Sequence, residues 1–94
     1  MKFQLGQLAY TPDAADALGP IRMAQVIAFH ASGDWGTVCD EDKATNDLAV
    51  KVGNRILSAY TIDPSRPALD DNNTVWVITE ADRSVTTVLM PDEY

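Results

Sequence analysis

Four residues of types that act on phosphate esters lie in two parts of the sequence. His30 is the single histidine, and the ordinary pKa of an imidazole suits a general base. Arg83, Ser84 and Thr86 lie together in the segment EADRSVTT, where a guanidinium and hydroxyls could hold a phosphate or stabilise developing charge. These residues indicate one candidate activity, that of a small metal-independent ribonuclease.

Each of these residues also has an ordinary structural role, and the structural roles are favoured. A histidine near a helix end can hydrogen-bond free carbonyl groups, and threonines are common in strands. Arg83 could pair with Glu80 or Asp82 to fix a turn. An acidic chain would also repel RNA. The ribonuclease is therefore the alternative to a non-enzymatic function, which needs no catalytic residue.

The charge of the chain points to a protein partner. Fourteen acidic residues against seven basic ones give a net charge of −7, concentrated in residues 30–49 and 63–94, whereas residues 1–29 carry no net charge. This balance disfavours nucleic acids and anionic membranes and favours a partner with a basic surface, although acids can also serve only as a solubility coat. The candidate partner-binding residues are Asp40, Glu41, Asp42, Asp47, Asp70, Asp71 and Trp35. For Trp35, a place in the core is the favoured interpretation.

No pattern in the sequence indicates a metal or a cofactor. Residues 40–42 are too tightly spaced for a calcium loop, and residues 70–73 are typical of a solvated turn. There is no His/Cys cluster for zinc and no glycine-rich phosphate loop. We therefore expect neither a metal nor a cofactor.

The same reasoning predicts a soluble cytoplasmic protein. The lone Cys39 cannot form an internal disulfide, and the first residues lack the apolar stretch of a secretory signal. No apolar run is long enough to suggest a membrane span. We expect a monomer or a homodimer, with residues 1–94 forming a single domain.

The first half of the sequence predicts helices. Thr11 and Pro12 are typical of a helix start, Gly19 ends a short first helix, and Pro20 begins a second that Gly33 stops. Its apolar residues follow helical spacing and predict a largely buried face, made of Ile21, Ala24, Ile27, Ala28 and Ala31. Asp40 is expected to cap a third helix that ends at Gly53 and has Ala44, Leu48, Ala49 and Val52 on one apolar face.

The C-terminal third predicts strands. Residues 55–62, 74–79 and 85–90 are rich in β-branched and aromatic residues, and the short connection EADRS favours an antiparallel pair. Residues 3–9 are a further candidate for a short strand or an extended arm. The expected fold class is α+β, with N-terminal helices packed on a C-terminal three-stranded antiparallel meander.

Three segments together resemble a known group of proteins: HASGDWGTVCDEDKATND, RILSAYTI and VWVITEADRSVTTVLMPDEY. They are similar to a family of short proteins carried by plasmids, phages and integrative elements. Some relatives are labelled as type I restriction methyltransferase subunits, but the chain is too short for a methyl-donor fold and lacks its Asn/Asp-Pro-Pro-aromatic motif. The resemblance implies a mobile-element protein.

Size, charge and this resemblance together give the leading hypothesis. We expect a small acidic protein-binding module, acting as an anti-restriction or anti-CRISPR inhibitor. Spaced carboxylates could reproduce the phosphate field that such defence complexes bind in their basic channels.

Overall fold

The computed structural model describes residues 2–70 and 72–94 of the chain. Two α-helices and a short 3-10 helix accompany four strands. In chain order the elements are β1 (Gln7–Tyr10), α1 (Pro12–Ser32), α2 (Asp40–Val52), β2 (Ile56–Thr61), β3 (Thr74–Thr79), β4 (Val85–Leu89) and the 3-10 helix (Pro91–Glu93). The fold is therefore α+β, as the sequence predicts.

The sheet corrects the expected three-stranded antiparallel meander. It has four strands in the order β1-β4-β3-β2. The three C-terminal strands lie as antiparallel neighbours, but β1 joins them as a parallel partner of β4, with Gln7 opposite Val85 and Tyr10 opposite Val88. The sheet is consequently mixed, and β1 and β2 are its two edges.

Helix α1 begins and ends at the predicted residues. The Thr11 hydroxyl accepts a hydrogen bond from the Ala14 N–H at 3.2 Å, and Gly33 ends the helix in the left-handed conformation. At Gly19 the backbone is non-helical, with φ 69° and ψ 170°, so α1 consists of two helical segments that meet at a kink before Pro20, as the sequence predicts. Glycine reaches this conformation without the steric cost that a side chain would add.

The predicted buried face of α1 is wrong in part. Leu18, Val26 and His30 face the sheet, whereas Ile21 is 77% exposed and Ala24 and Ala28 are also exposed. The apolar stripe is wide enough to turn one side to the core and leave the other uncovered. The uncovered side borders a groove beside β1.

Helix α2 differs from its prediction at its start and in its orientation. Cys39 is the N-cap and makes no side-chain cap hydrogen bond, so Asp40 is the first helical residue and not the cap. The predicted apolar face is wrong in part, because Ala44, Leu48 and Val52 are exposed whereas Ala49 is buried. The buried residues are Asn46 and Ala49.

Asn46 explains this orientation of α2. Its side-chain N–H donates to the Leu57 carbonyl at 2.7 Å, and its side-chain oxygen accepts from the Leu57 N–H at 3.3 Å. The amide therefore makes the two hydrogen bonds that a neighbouring strand would make along the outer edge of β2. Turning Asn46 inward carries the Leu48 and Val52 side of the helix outward.

The core lies between the helices and one face of the sheet. Leu18 and Val26 of α1 pack with Tyr60, Val77 and Val88 of the strands. A second cluster joins Trp35, Ala49 and Ile56 beneath α2, with Phe3 packed against it. Both helices thus cover the same side of the sheet, and the connection between them contributes its tryptophan to the interior.

Candidate functional site

His30 lies at the centre of a buried chain of polar side chains. Its Nδ1 lies 2.5 Å from the Ser58 hydroxyl, and its Nε2 lies 2.8 Å from the Thr79 hydroxyl. Thr79 in turn lies 2.7 Å from the Thr86 hydroxyl, which donates to the Leu5 carbonyl at 2.7 Å. The four side chains are buried, with exposed fractions of zero. The network therefore links α1 to three strands and to the segment before β1.

The network fixes the tautomer of His30. Each hydroxyl has one hydrogen to donate, and a carbonyl can only accept. Because Thr86 donates to Leu5, Thr79 must donate to Thr86, and so the hydrogen between Thr79 and His30 belongs to Nε2. Nδ1 then accepts from Ser58. Burial disfavours the charged imidazolium, so His30 is neutral, with its proton on Nε2.

Burial lowers the pKa of His30 from 6.5 to about 4. The cause is desolvation, which penalises the charged imidazolium. The Ser58 hydroxyl and the imidazole have the contact of a nucleophile and its base, but neither side chain has exposed surface. The pair therefore has a structural role in this conformation, and no substrate reaches it.

Arg83 is engaged by backbone carbonyl groups. Its Nη1 donates to Asn54, Glu80 and Ala81, and its Nη2 donates to Ala49 at 2.9 Å. These bonds tie the β3–β4 turn to the C-terminal end of α2, where free carbonyls favour a cation. The guanidinium thus binds the backbone of Glu80 and not the carboxylates that the sequence suggested.

The remaining two residues of the ribonuclease alternative also have internal partners. The hydroxyl and N–H of Ser84 bond to Asp82 and hold the pKa of that carboxyl below its usual value, and Thr86 belongs to the buried network. Phe3 lies against both His30 and Arg83, its ring centroid being 5.3 Å from the imidazole centroid and 5.7 Å from Arg83 Cζ. The structure therefore brings these residues near one another but not into an open cleft.

Trp35 is part of the core and not an exposed anchor. Its side chain is 4% exposed, and its indole N–H donates to the Asp47 carboxylate at 2.8 Å. This contact fixes the α1–α2 connection against α2. The favoured interpretation of Trp35 as a core residue is thus confirmed, and Asp47 is the hydrogen-bond partner of its indole.

The other acidic candidates fall into two places. Asp40, Glu41 and Asp42 are exposed in the first turn of α2, where the positive end of the helix dipole favours carboxylates. Asp70 pairs with Arg66 at 3.4 Å in the β2–β3 loop, and Asp71 lies outside the described residues. Asp40, Glu41 and Asp42 therefore form an exposed acidic cluster in the first turn of α2, as the sequence predicted.

An exposed apolar stripe continues from this acidic turn. Glu41, Thr45, Leu48 and Val52 follow helical spacing on one side of α2, and Leu48 and Val52 are 57% and 58% exposed. We call Asp40, Glu41, Asp42, Leu48 and Val52 the α2 patch. It has an apolar part beside an acidic part, as protein interfaces have an apolar centre and a polar rim.

Two buried asparagines with structural roles were missed by sequence reasoning. Asn46 sets the rotation of α2, and Asn73 holds the β2–β3 loop by donating to the carbonyls of Asp63, Arg66 and Pro67 and accepting from the Asp63 N–H. The sequence contains only a weak indication of these roles for Asn46 and Asn73. Asn46 lies in the interior of a predicted helix, where asparagine is unfavourable without a specific partner.

No protein-family model, curated protein or solved structure matches this chain. Within residues 2–70 and 72–94, no group of three or more His, Cys, Asp or Glu side chains could hold a metal ion. No helix in that part of the chain is long and apolar enough to cross a membrane.

Proposed function

We propose that this chain is a non-enzymatic protein-binding module of a mobile genetic element, and that it inhibits a host defence complex such as a restriction enzyme or a CRISPR effector. The α2 patch is the proposed contact. Its acidic turn would lie against basic residues that the complex uses to hold nucleic acid, and Leu48 and Val52 would pack against an apolar part of the same partner.

The observation that carries the proposal is the orientation of α2. A helix on a small domain normally turns its apolar stripe to the core, yet here Leu48 and Val52 lie in solvent. Exposed apolar residues beside charged ones are typical of interaction sites. The side chains that could do chemistry, in contrast, are used in internal hydrogen bonds.

The test compares two triple variants with equal loss of charge. The first carries Asp40→Asn, Glu41→Gln and Asp42→Asn, which keep the shape of the α2 patch. The control carries Asp13→Asn, Asp16→Asn and Asp92→Asn, three exposed acids outside the patch. Asp47 is left unchanged because it holds Trp35.

Both proteins are produced in a host with one defined defence complex and in a matched host without it. We expect the wild type and the control to restore phage plaques by at least tenfold in the defended host, and the α2-patch variant to lose this effect. Binding of the purified complex should also weaken with added salt, because exposed charges are screened. Equal protection by both variants would show that the acids act only as a solubility coat.

A second variant tests the apolar part of the patch. Leu48→Gln and Val52→Gln together should leave the fold intact, because both positions are exposed, and should abolish the same protection. If the complex bound this variant as tightly as the wild type, the α2 patch would not be the contact.

A further inference from the structure

The two edges of the sheet differ in whether their outward backbone groups have hydrogen-bond partners. Along β2, Leu57 is bonded by Asn46, the Ala59 N–H and carbonyl are bonded by Trp35 and Thr37, and the Thr61 carbonyl accepts from Arg22. Natural proteins cover sheet edges in this way because unpaired backbone groups invite another strand. The β2 edge is therefore closed.

The β1 edge is open. The N–H groups of Gln7 and Thr11 donate to the carbonyls of Ser84, just before β4, and Val88 in β4. Alternation along the strand therefore points the N–H and carbonyl groups of Leu8 and Tyr10 away from the sheet. Among the described residues, no hydrogen bond reaches these outward groups. Four residues of strand thus present two N–H groups and two carbonyls to solvent.

An apolar groove of about 770 Å³ runs beside this edge. Leu8 and Tyr10 form one wall and are 50% and 61% exposed, and Met23 and Ile27 of α1 contribute to the other. None of the residues lining the groove is charged. The open backbone and the uncovered apolar side chains therefore belong to one surface.

We infer that this surface binds a second copy of the chain, through antiparallel pairing of β1 with β1 of the partner. The strand is complementary to itself in one register. With Ala9 on the two-fold axis, Leu8 lies opposite Tyr10 of the other copy, and all the outward groups of both residues are paired. The two-fold axis is then perpendicular to the sheet, so both α1 helices lie on the same side and the two grooves adjoin.

Charge favours a second copy over a basic partner at this position. The chain carries a net charge of −7, so two copies repel each other where their acids meet. Residues 1–29, which supply β1 and the α1 side of the groove, have no net charge. Two copies therefore approach with least repulsion through this face, whereas a basic protein is drawn to the α2 patch.

A charge exchange tests the register. In a dimer of either variant alone, Leu8→Lys or Tyr10→Glu places a charge opposite an uncharged residue of the other copy. In a mixed dimer of the two variants, Lys lies opposite Glu at one position, and the native Leu8–Tyr10 pair remains at the other. We expect the wild type to sediment as a dimer at micromolar concentration. The dimer dissociation constant of each variant alone should be at least tenfold higher, and the equimolar mixture of the two variants should form a heterodimer. Leu69→Lys, at a position 98% exposed in the β2–β3 loop, is the control and should remain a dimer.

Hydrogen exchange on the wild type gives a second measurement that needs no variant. The amides of Leu8 and Tyr10 should become protected as the protein concentration rises, whereas those of Gln7 and Ala9, which face β4, should be protected throughout. A wild type that remains monomeric to millimolar concentration overturns the proposal and leaves the edge free for a strand of another protein. A dimer that survives both substitutions, or a mixture that fails to associate, also overturns it.

Discussion

Asn46 bonds to both backbone groups of Leu57 and so closes the sheet edge with a side chain instead of a strand. The same contact rotates α2 and exposes Leu48 and Val52. One buried amide thus determines both the integrity of the β2 edge and the chemistry of the helix surface.

The first prediction concerns this amide. Asn46→Ala should lower the free energy of unfolding by about 2 kcal/mol, because two backbone groups of Leu57 lose their partner in a partly buried place. Urea unfolding followed by circular dichroism measures the change. Thr45→Ala, at the exposed neighbouring position, is the control and should alter stability little. An unchanged unfolding midpoint in Asn46→Ala would contradict the role assigned to Asn46.

The second prediction concerns pH. The unfolded chain protonates His30 below about pH 6.5, whereas the folded protein resists protonation until the pH approaches the lowered pKa of about 4. Between these values the unfolded state binds the additional proton, so stability rises with pH and falls as the solution is acidified. We expect a loss of about 2 kcal/mol between pH 7 and pH 5.

Urea titrations at the two pH values measure this loss, and His30→Gln is the control that should lack the histidine contribution. The carboxyl groups of Asp63 and Asp82 have lowered pKa values, so their stabilising effect is lost only in more acidic solution. Equal pH dependence in His30→Gln and the wild type would show that the buried imidazole is not responsible.

The third prediction compares two glycines with the same backbone requirement. Gly36 and Gly53 have φ values of 73° and 83°, but a Cβ at Gly36 would lie 1.8 Å from the Ala59 carbonyl oxygen, whereas one at Gly53 would meet nothing within 4 Å. Gly53→Ala should cost about 1 kcal/mol, the penalty for a left-handed alanine. Gly36→Ala should lower the free energy of unfolding by at least about twice the amount for Gly53→Ala, because the added Cβ would also push the α1–α2 connection away from the edge of β2. Equal thermal midpoints for the two variants would exclude this close approach.

Local signals in the sequence predicted much of the secondary structure. Thr11, Gly33 and Gly53 define helix ends through interactions within a few residues, and β-branched residues define the three C-terminal strands. His30 has a structural role, although its partners are hydroxyls of two strands and not the helix carbonyls that were expected. Such local features need no knowledge of the tertiary structure.

The errors arose where distant residues decide the outcome. Periodicity placed Leu48 and Val52 inside, but the hydrogen bonds from Asn46 to β2 oppose that rotation of α2. The acidic first turn of α2 was predicted, whereas the attachment of Asp47 to Trp35 was not, because their contact depends on the course of the intervening connection. The pairing of β1 with β4 likewise has no local signal.

The parallel register of β1 and β4 has a consequence for folding. It joins residues separated by about 80 positions, so forming it requires closure of a loop that includes most of the chain, at a corresponding loss of conformational entropy. The antiparallel pairs β2–β3 and β3–β4 form over much shorter separations. Strand β1 is therefore expected to dock after the other three strands have formed their sheet, and to detach by local unfolding while that sheet persists.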